Sequence, residues 1–466
     1  MHTSSYVSAI AITLCGAFAL SSESTAQAQG RDGSEYLVRP VPERWIYTPE
    51  NVQTDPTDDP WWTSFDDPVL SSLVVRALDD NLNIRQAWHT SEVARAAIGQ
   101  ARAAYWPTLG ANVGYTRSRT SGRDANLWQL GAQLQWEVDV FGKVRDNVRA
   151  GKESWRASRA QLTAMRVSIA AQVATSYVNL RLLQTHLAIA REHIARQKRV
   201  VEIATARHEA GLVSKLDVAQ ARTVLATTEA SVPPMECELR QTLNSLAILL
   251  GVYPDSLSSL VSTPGPIPTH LTILPAGVPA DLLRRRPDII EAEANLAAKA
   301  ALVGVAKKDF LPTLSLQGEI GFESPHTRDL FGKNGVMWSI GPSIQSTLFD
   351  GFGRKAALES ARQEVEAAIA VYNLTVMTAV EEVDNAMAGY TSAIDSYGFT
   401  AEAYSQSDQA FELAMEQYKQ GLTSFTDVAN AQIDRLTYAT SMATLKANAV
   451  IALIDLYKAL GGSTTE

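Results

Sequence analysis

Gly211-Leu212-Val213-Ser214-Lys215-Leu216-Asp217-Val218-Ala219-Gln220-Ala221 is answered, 210 residues later, by Gly421-Leu422-Thr423-Ser424-Phe425-Thr426-Asp427-Val428-Ala429-Asn430-Ala431. Other pairs keep nearly that spacing: Pro107-Thr108-Leu109 with Pro312-Thr313-Leu314, Trp128 with Trp338, Phe141-Gly142-Lys143 with Phe352-Gly353-Arg354, and Leu250-Gly251 with Leu460-Gly461. The chain is therefore a tandem duplication, and whatever one half builds the other builds beside it. Within the repeated stretch, Gly211 and Gly421 stand where a helix end requires left-handed backbone. Ser214 and Ser424 follow at the position of an N-cap, with Asp217 and Asp427 as capping-box-like acids three residues on. Each half is predicted to contain a tight helix-turn-helix tip.

Outward from the tips, no proline interrupts Lys143 to Ala210 or Arg354 to Gln420. As continuous helices these would each be about 100 Å long at about 1.5 Å per residue. Val365, Ile369, Tyr372, Val376, Ala379, Val383, Met387, Tyr390, Ile394 and Tyr397 step by four and three along the second of them. A buried core stripe gives the same pattern over a short stretch, but its length favours a coiled-coil seam. The return helices are expected to reach Gly251 and Gly461, the first interrupted at Pro233-Pro234.

The opposite end of each half alternates in steps of two. Leu109, Ala111, Val113 and Tyr115 alternate with Gly110, Asn112, Gly114 and Thr116; Trp128, Leu130, Ala132, Leu134, Trp136 and Val138 alternate with Gln129, Gly131, Gln133, Gln135, Glu137 and Asp139. The second half repeats this with Leu314, Leu316, Ile320 and Phe322, and with Trp338, Ile340 and Ile344. Each half thus carries a β-hairpin with one apolar and one polar face. A half-buried soluble sheet alternates in the same way. The accompanying export signal and the polar inner face point instead to strands of a membrane barrel, lipid outside and water inside. Four strands cannot close a barrel, and lipid does not tolerate open edges, so other copies of the chain must complete it.

The remaining composition narrows the function. The net charge of −9 comes with no basic stripe, which disfavours a nucleic-acid partner. Only Cys15 and Cys237 are present, so there is no disulfide framework or CxxC metal site. After the N-terminus no run of 18 apolar residues occurs, so no membrane-spanning helix is expected. Val7 to Leu20 is an apolar run followed by Ala26-Gln27-Ala28, the shape of a secretory signal cut after Ala28. Acylation (palmitate) at Cys15 is the rival reading, opposed by the bulky Leu14 before it. There is no HExxH, Walker glycine loop, GxSxG or cysteine-histidine cluster, so the chain is read as a non-enzyme without cofactor or metal. Between the halves, Pro254, Pro264, Pro266, Pro268, Pro275 and Pro279 mark an irregular connector. In Arg284-Arg285-Arg286-Pro287-Asp288, Pro287 is expected to open a helix with Asp288 and Glu291 in its first turn, the arginines pairing with acids on neighbouring helices.

Several stretches together carry a resemblance: Phe65-Asp66-Asp67-Pro68-Val69-Leu70, Asn81-Leu82-Asn83-Ile84-Arg85-Gln86-Ala87, Pro279 through Leu282-Leu283-Arg284-Arg285-Arg286-Pro287-Asp288 to Ile289, Phe310-Leu311-Pro312-Thr313-Leu314, and the doubled tips. They resemble the TolC-like outer membrane efflux protein family, and the Leu-Leu-Arg-Arg-Arg-Pro-Asp string is similar to its NodT-type members, which serve resistance-nodulation-division pumps. The resemblance implies a mostly α protomer of two repeats, with a membrane β-hairpin pair. Three copies would form a 12-stranded outer membrane β-barrel and a 12-helix periplasmic α-barrel. It also implies a passive exit duct in the cell outer membrane, bounded by membrane lipid. A periplasmic adaptor (membrane fusion protein) and an inner-membrane pump would be its partners in a tripartite, multidrug-type efflux assembly. Adaptor contacts would fall on Ala210, Gly211, Leu212 and Ser214, and on Gln420, Gly421, Leu422 and Ser424. The periplasmic aperture would be lined by Asp427 and Asn430, with Asp217 and Gln220 at the equivalent places of the first tip. Asn430 stands where some members carry a second acid, so its ring would be uncharged. Capping its own helix is the other role open to Asp427. The poor lipobox departs from the lipid anchor common in this subgroup.

The chain is accordingly divided into a signal peptide (1–28), an irregular N-terminal segment (29–68), a first repeat (69–251), a connector (252–279), a second repeat (280–462) and a tail (463–466). The first repeat holds hairpin 107–140, long helix 143–210 and tip 210–214; the second holds hairpin 312–349, long helix 353–420 and tip 420–424. Two other functions stay in view: a type I protein-secretion exit duct, and a periplasmic structural coiled-coil protein, which would need no lipid face.

Overall fold

The computed structural model describes residues 36–42, 45, 52–53, 60–257, 263–269, 274–275 and 285–462. The signal, Cys15, the cleavage site after Ala28, Arg284 and the tail 463–466 lie outside the described residues.

Among the described residues seven long helices carry most of the chain: α1 (Pro68–Asp80), α2 (Leu82–Ala103), α3 (Lys143–Glu209), α4 (Lys215–Leu249), α5 (Pro287–Lys308), α6 (Gly353–Gln420) and α7 (Phe425–Ala459). Acidic caps start several of them. Asp67 accepts the N–H groups of Val69 and Leu70 at 2.9 and 3.0 Å, and Pro68 fills the first turn of α1, where no amide hydrogen is needed. Asp139 accepts the N–H groups of Val144 and Arg145 at 3.1 and 3.0 Å to open α3. Asp350 does the same for α6 through Arg354 N–H at 3.0 Å.

One correction concerns the helices. The return helix of the first half is not interrupted: α4 runs from Lys215 to Leu249 with Pro233 and Pro234 inside it. Both prolines are exposed, as are Glu229 and Ala230 four residues earlier, so the carbonyls that lose their amide partners lie on the watered side of the helix. Among the described residues α7 is long and apolar enough to cross a membrane by length and composition alone. Its burial of Ala439, Ala443, Ala447, Val450, Leu453 and Ile454 instead marks it as a core helix.

The strands are β1 (Val52–Gln53), β2 (Thr108–Thr120), β3 (Arg123–Val138), β4 (Leu274–Pro275), β5 (Thr313–Ser324) and β6 (Val336–Gln345). β1 and β4 make a short parallel pair, whereas β2, β3, β5 and β6 form one antiparallel sheet in that order. The register keeps the two faces separate across all four strands. Leu109 lies opposite Leu134, Val113 opposite Leu130, and Tyr115 opposite Trp128. Ala132 lies opposite Ile320, itself opposite Trp338. On the other face Gln133 meets Glu319, Gln135 meets Gln317, and Gln129 donates to Glu323 at 3.3 Å. The apolar face is bare: Leu109, Val113, Ile320, Trp338, Ile340 and Ile344 are all exposed.

Two compact units divide the chain, and they do not coincide with the repeats. One comprises Met1–Pro40, Thr90–Arg159 and Glu291–Thr375, the other Val41–His89, Ala160–Ile290 and Val376–Glu466. Each repeat contributes to both. The first unit holds the four-stranded sheet and the helix segments that lead into it, where Lys308 pairs with the buried Asp146 and donates to the Gly142 carbonyl at 2.8 Å. The second unit holds the helical core. Tyr372 enters α6's stripe in the first unit, and Val376, Ala379, Val383, Met387 and Tyr390 continue it in the second; all are buried. The outer members of the stripe, Val365, Ile369, Ile394 and Tyr397, are half-buried.

Also in the second unit, Trp61 stacks on Tyr457 at 5.6 Å, so the tryptophan-rich segment before α1 packs on α7. Arg286 is buried and bonds both oxygens of Asp288 (3.0 and 2.7 Å), Glu382 of α6 (2.6 Å) and the Ala459 carbonyl (2.7 Å). Thus Arg286 pairs with an acid on a neighbouring helix while Pro287 opens α5.

Candidate functional site

The two tips share one foundation. Val200 and Ala204 of α3, Val218 and Ala221 of α4, Phe411, Met415 and Tyr418 of α6, and Phe425 and Val428 of α7 form a single buried cluster beneath both turns. Burying aliphatic and aromatic side chains from all four helices holds the two turns side by side.

Both turns are built by the same backbone device. Gly211 and Gly421 have φ of 74° and 78°, in the left-handed region. The next amide reaches back to close the helix end: Leu212 N–H donates to Arg207 C=O at 2.9 Å, and Leu422 N–H to Gln417 C=O at 2.9 Å. The glycine amides donate one position in, to His208 C=O (2.9 Å) and Tyr418 C=O (3.0 Å). This paired pattern satisfies carbonyls that a helix end otherwise leaves open, and it needs glycine at the turn. It leaves Leu212 and Leu422 as exposed apolar side chains at equivalent places, 68% and 72% accessible.

The next helices open differently in the two tips. Ser424 and Asp427 form the full reciprocal capping box. Asp427 accepts from Ser424 N–H at 3.1 Å, Ser424 Oγ at 2.7 Å and Thr423 Oγ1 at 2.6 Å. These hydroxyl and amide donors, Thr423 foremost, hold its carboxyl below the usual carboxylate range. In the first tip Ser214 accepts from Leu216 N–H at 3.1 Å and donates to Asp217 at 2.8 Å, so a cap forms without the reciprocal bond. Val213 stands there in place of Thr423, and Lys215 in place of the buried Phe425.

Asp427 and Asn430 are exposed on α7, three residues apart; Asp217 and Gln220 are partly exposed at the same places of α4. Ala210, Gly211, Leu212 and Ser214, and likewise Gln420, Gly421, Leu422 and Ser424, are exposed around the turns.

Sequence reading missed the side chains that tie one tip to the other. The guanidinium of Arg207 lies over the Tyr418 ring, 4.6 Å from its centroid, and donates to the Tyr418 carbonyl. Further along the helices, Arg196 pairs with Glu412 at 3.2 Å, while Arg435 bonds Asp408 and approaches Glu192 at 3.6 Å. The Arg196–Glu412 and Arg435–Glu192 pairs each link α3 of the first repeat to the second. Their signal is a break in the duplication: at the 210-residue offset Arg207 meets Gln417, and His208 meets Tyr418.

The sequence profile described as outer membrane efflux protein matches residues 73–252 and 278–462. Nodulation protein T of Rhizobium leguminosarum bv. viciae is 29% identical over 399 residues, 84% of this chain and 82% of that protein. Outer membrane protein OprJ of Pseudomonas aeruginosa is 30% identical over 439 residues, 92% and 91% of the two chains. The solved outer-membrane channel OprN superposes with a TM-score of 0.82 at 29% identity, covering 93% of this chain and 96% of that one.

Proposed function

The chain belongs to the outer membrane efflux protein family and is an outer membrane exit duct for efflux, and we propose that it works as a homotrimer docked to a periplasmic adaptor and an inner-membrane resistance-nodulation-division pump. The observation that carries this reading is the four-stranded sheet, whose apolar face is exposed and whose edge strands β2 and β6 have no further strand partner among the described residues. In lipid every backbone group needs a partner within protein, so β6 of one copy must meet β2 of the next until the ring closes. Three copies supply twelve strands. A periplasmic structural coiled coil has no use for so large an apolar sheet face, which counts against that alternative.

In this assembly the two tips of each copy are the adaptor contacts. Leu212 and Leu422 offer the apolar anchors, and the glycine turns hold them out from the shared core. Asp427 caps α7 and also faces the aperture, where three copies would focus negative potential on the passing solute. The cross-repeat contacts of Arg207 with Tyr418, Arg196 with Glu412 and Arg435 with Glu192 keep the hairpins of one copy together, so opening has to strain or replace them. The duct itself supplies no energy; transport is driven by the pump. Mass measurement of the protein extracted from outer membranes tests the reading. A detergent-dependent trimer supports it, and a stable detergent-free monomer overturns it.

A further inference from the structure

Charged residues stand on both faces of the membrane sheet. Glu137, Glu319 and Glu323 lie on the polar face, whereas Arg117 and Arg119 of β2 share the apolar face with Leu109, Val113 and Tyr115. The two arginines come directly after the Tyr115–Trp128 pair, whose rings are 4.5 Å apart, on the side away from the helices. They sit about 7 and 13 Å beyond Tyr115, at about 3.3 Å per strand residue. Aromatic pairs of this kind mark the level of lipid headgroups on a barrel wall. Arg117 and Arg119 therefore stand at the outer headgroup layer and face lipid.

Their chemistry is only half neutralised. Both reach Asp124 on β3, at 3.0 and 3.7 Å, and remain 65% and 73% exposed. Two guanidinium groups against one carboxylate leave a net positive charge on each copy. The second hairpin carries the same combination of aromatic and base: Phe331 packs on Phe322 at 5.3 Å, with Arg328 and Lys333 exposed on the same connection. Guanidinium groups bind phosphate in a paired, planar fashion, which a neutral headgroup cannot match.

We propose that Arg117 and Arg119, above the Tyr115–Trp128 pair, form a lipid-facing rim that binds phosphorylated glycolipid headgroups of the outer leaflet. The proposal rests on the membrane placement of the sheet argued above. Asp124 holds the two side chains in position, and the phosphate takes the charge that Asp124 leaves uncompensated.

The test uses the full-length protein in detergent, incubated with diphosphorylated lipid A, with the same lipid after dephosphorylation, or with inorganic phosphate. Retained lipid is counted by native mass spectrometry, which also reports the oligomer. The wild type is expected to retain diphosphorylated lipid about fivefold better than Arg117→Ser/Arg119→Ser, a ratio corresponding to about 1 kcal/mol. Arg117→Lys/Arg119→Lys should retain it better than the serine variant but less well than the wild type, and Arg123→Ser, whose position belongs to the polar face, should retain it fully. Equal retention by the serine variant, or equal retention of dephosphorylated lipid, overturns the proposal. Displacement of the lipid by inorganic phosphate also overturns it, in favour of a plain anion site. A trimer that shows no lipid discrimination removes the rim alone, whereas a wild type that forms no trimer removes the assembly.

Discussion

Asn81 and Arg286 stand at equivalent points of the two repeats and each bonds the end of its own return helix: Asn81 Nδ2 donates to Leu249 C=O at 2.7 Å, and Arg286 Nη1 to Ala459 C=O at 2.7 Å. Beyond these carbonyls Gly251 and Gly461 turn with φ of 68° and 94°. Each glycine lies against backbone just before α2 or α5: an added Cβ would come within 2.4 Å of Asp80 O at Gly251 and 3.1 Å of Arg285 O at Gly461. The repeated Leu-Gly pairs thus mark a junction made twice, by an amide in one half and a guanidinium in the other.

Gly251→Ala should destabilise the protein more than Gly461→Ala. The first combines left-handed backbone with a collision against main chain, and about 2–4 kcal/mol is expected; the second should cost about 1–2 kcal/mol. Asn81→Ala removes both this bond and the cap on Asn83 and Ile84, for about 1–2 kcal/mol. Urea unfolding of the detergent-solubilised variants measures the order.

Gly421→Pro and Gly211→Pro should abolish efflux while the protein still reaches the outer membrane. Proline fixes φ near about −65°, the wrong sign for either turn, and removes the amide that donates to Tyr418 or His208. Drug or dye accumulation in cells, read beside outer-membrane levels, checks this. Normal efflux would remove the tips from the adaptor contact.

Asp427→Ala should weaken cation preference and block by trivalent cations in planar bilayers. Asn430→Ala should alter neither, and Asn430→Asp should strengthen both, since it adds a second ring of charge. Unchanged selectivity in Asp427→Ala would leave the residue as a cap only.

The same carboxylate fixes a pH dependence. Its native value lies below the ordinary 3.8, because Thr423 and Ser424 donate to the charged form. The cap's contribution to stability is therefore complete above the unfolded value and is lost as the pH falls through the lower native one. Acid titration should find the second tip protected from hydrogen exchange below the pH at which Thr423→Val/Ser424→Ala loses protection. Coincident midpoints would show that the donors do not act on Asp427.

What was legible in the sequence was local. The glycine turns, the serine caps and the alternating strands depend on residues within a few positions of one another, and the duplication states each twice. The contacts between distant positions were not legible from local pattern: Arg207 meets Tyr418 across 211 positions, from one repeat to the other, and Asn81 meets Leu249 across 168 within the first. Periodicity carries no sign of such pairs. Pro233-Pro234 was misread because an interruption assumes freed carbonyls with no water to bond, whereas these face outward. The compact units crossed the repeat boundary for a related reason: the four strands pair across both halves, so strands of both repeats fall in one unit.

The unlike caps of the two tips change the meaning of a threefold ring. Six nearly equal turns would present an adaptor with sixfold pseudosymmetry, but Val213 and Lys215 in one and Thr423 and Phe425 in the other make alternate turns chemically distinct. In the proposed assembly, identical adaptor chains meeting these turns would thus have to read two dialects, every other one holding a turn its neighbours do not. Divergence after duplication has thus left the two turns of each copy chemically unlike.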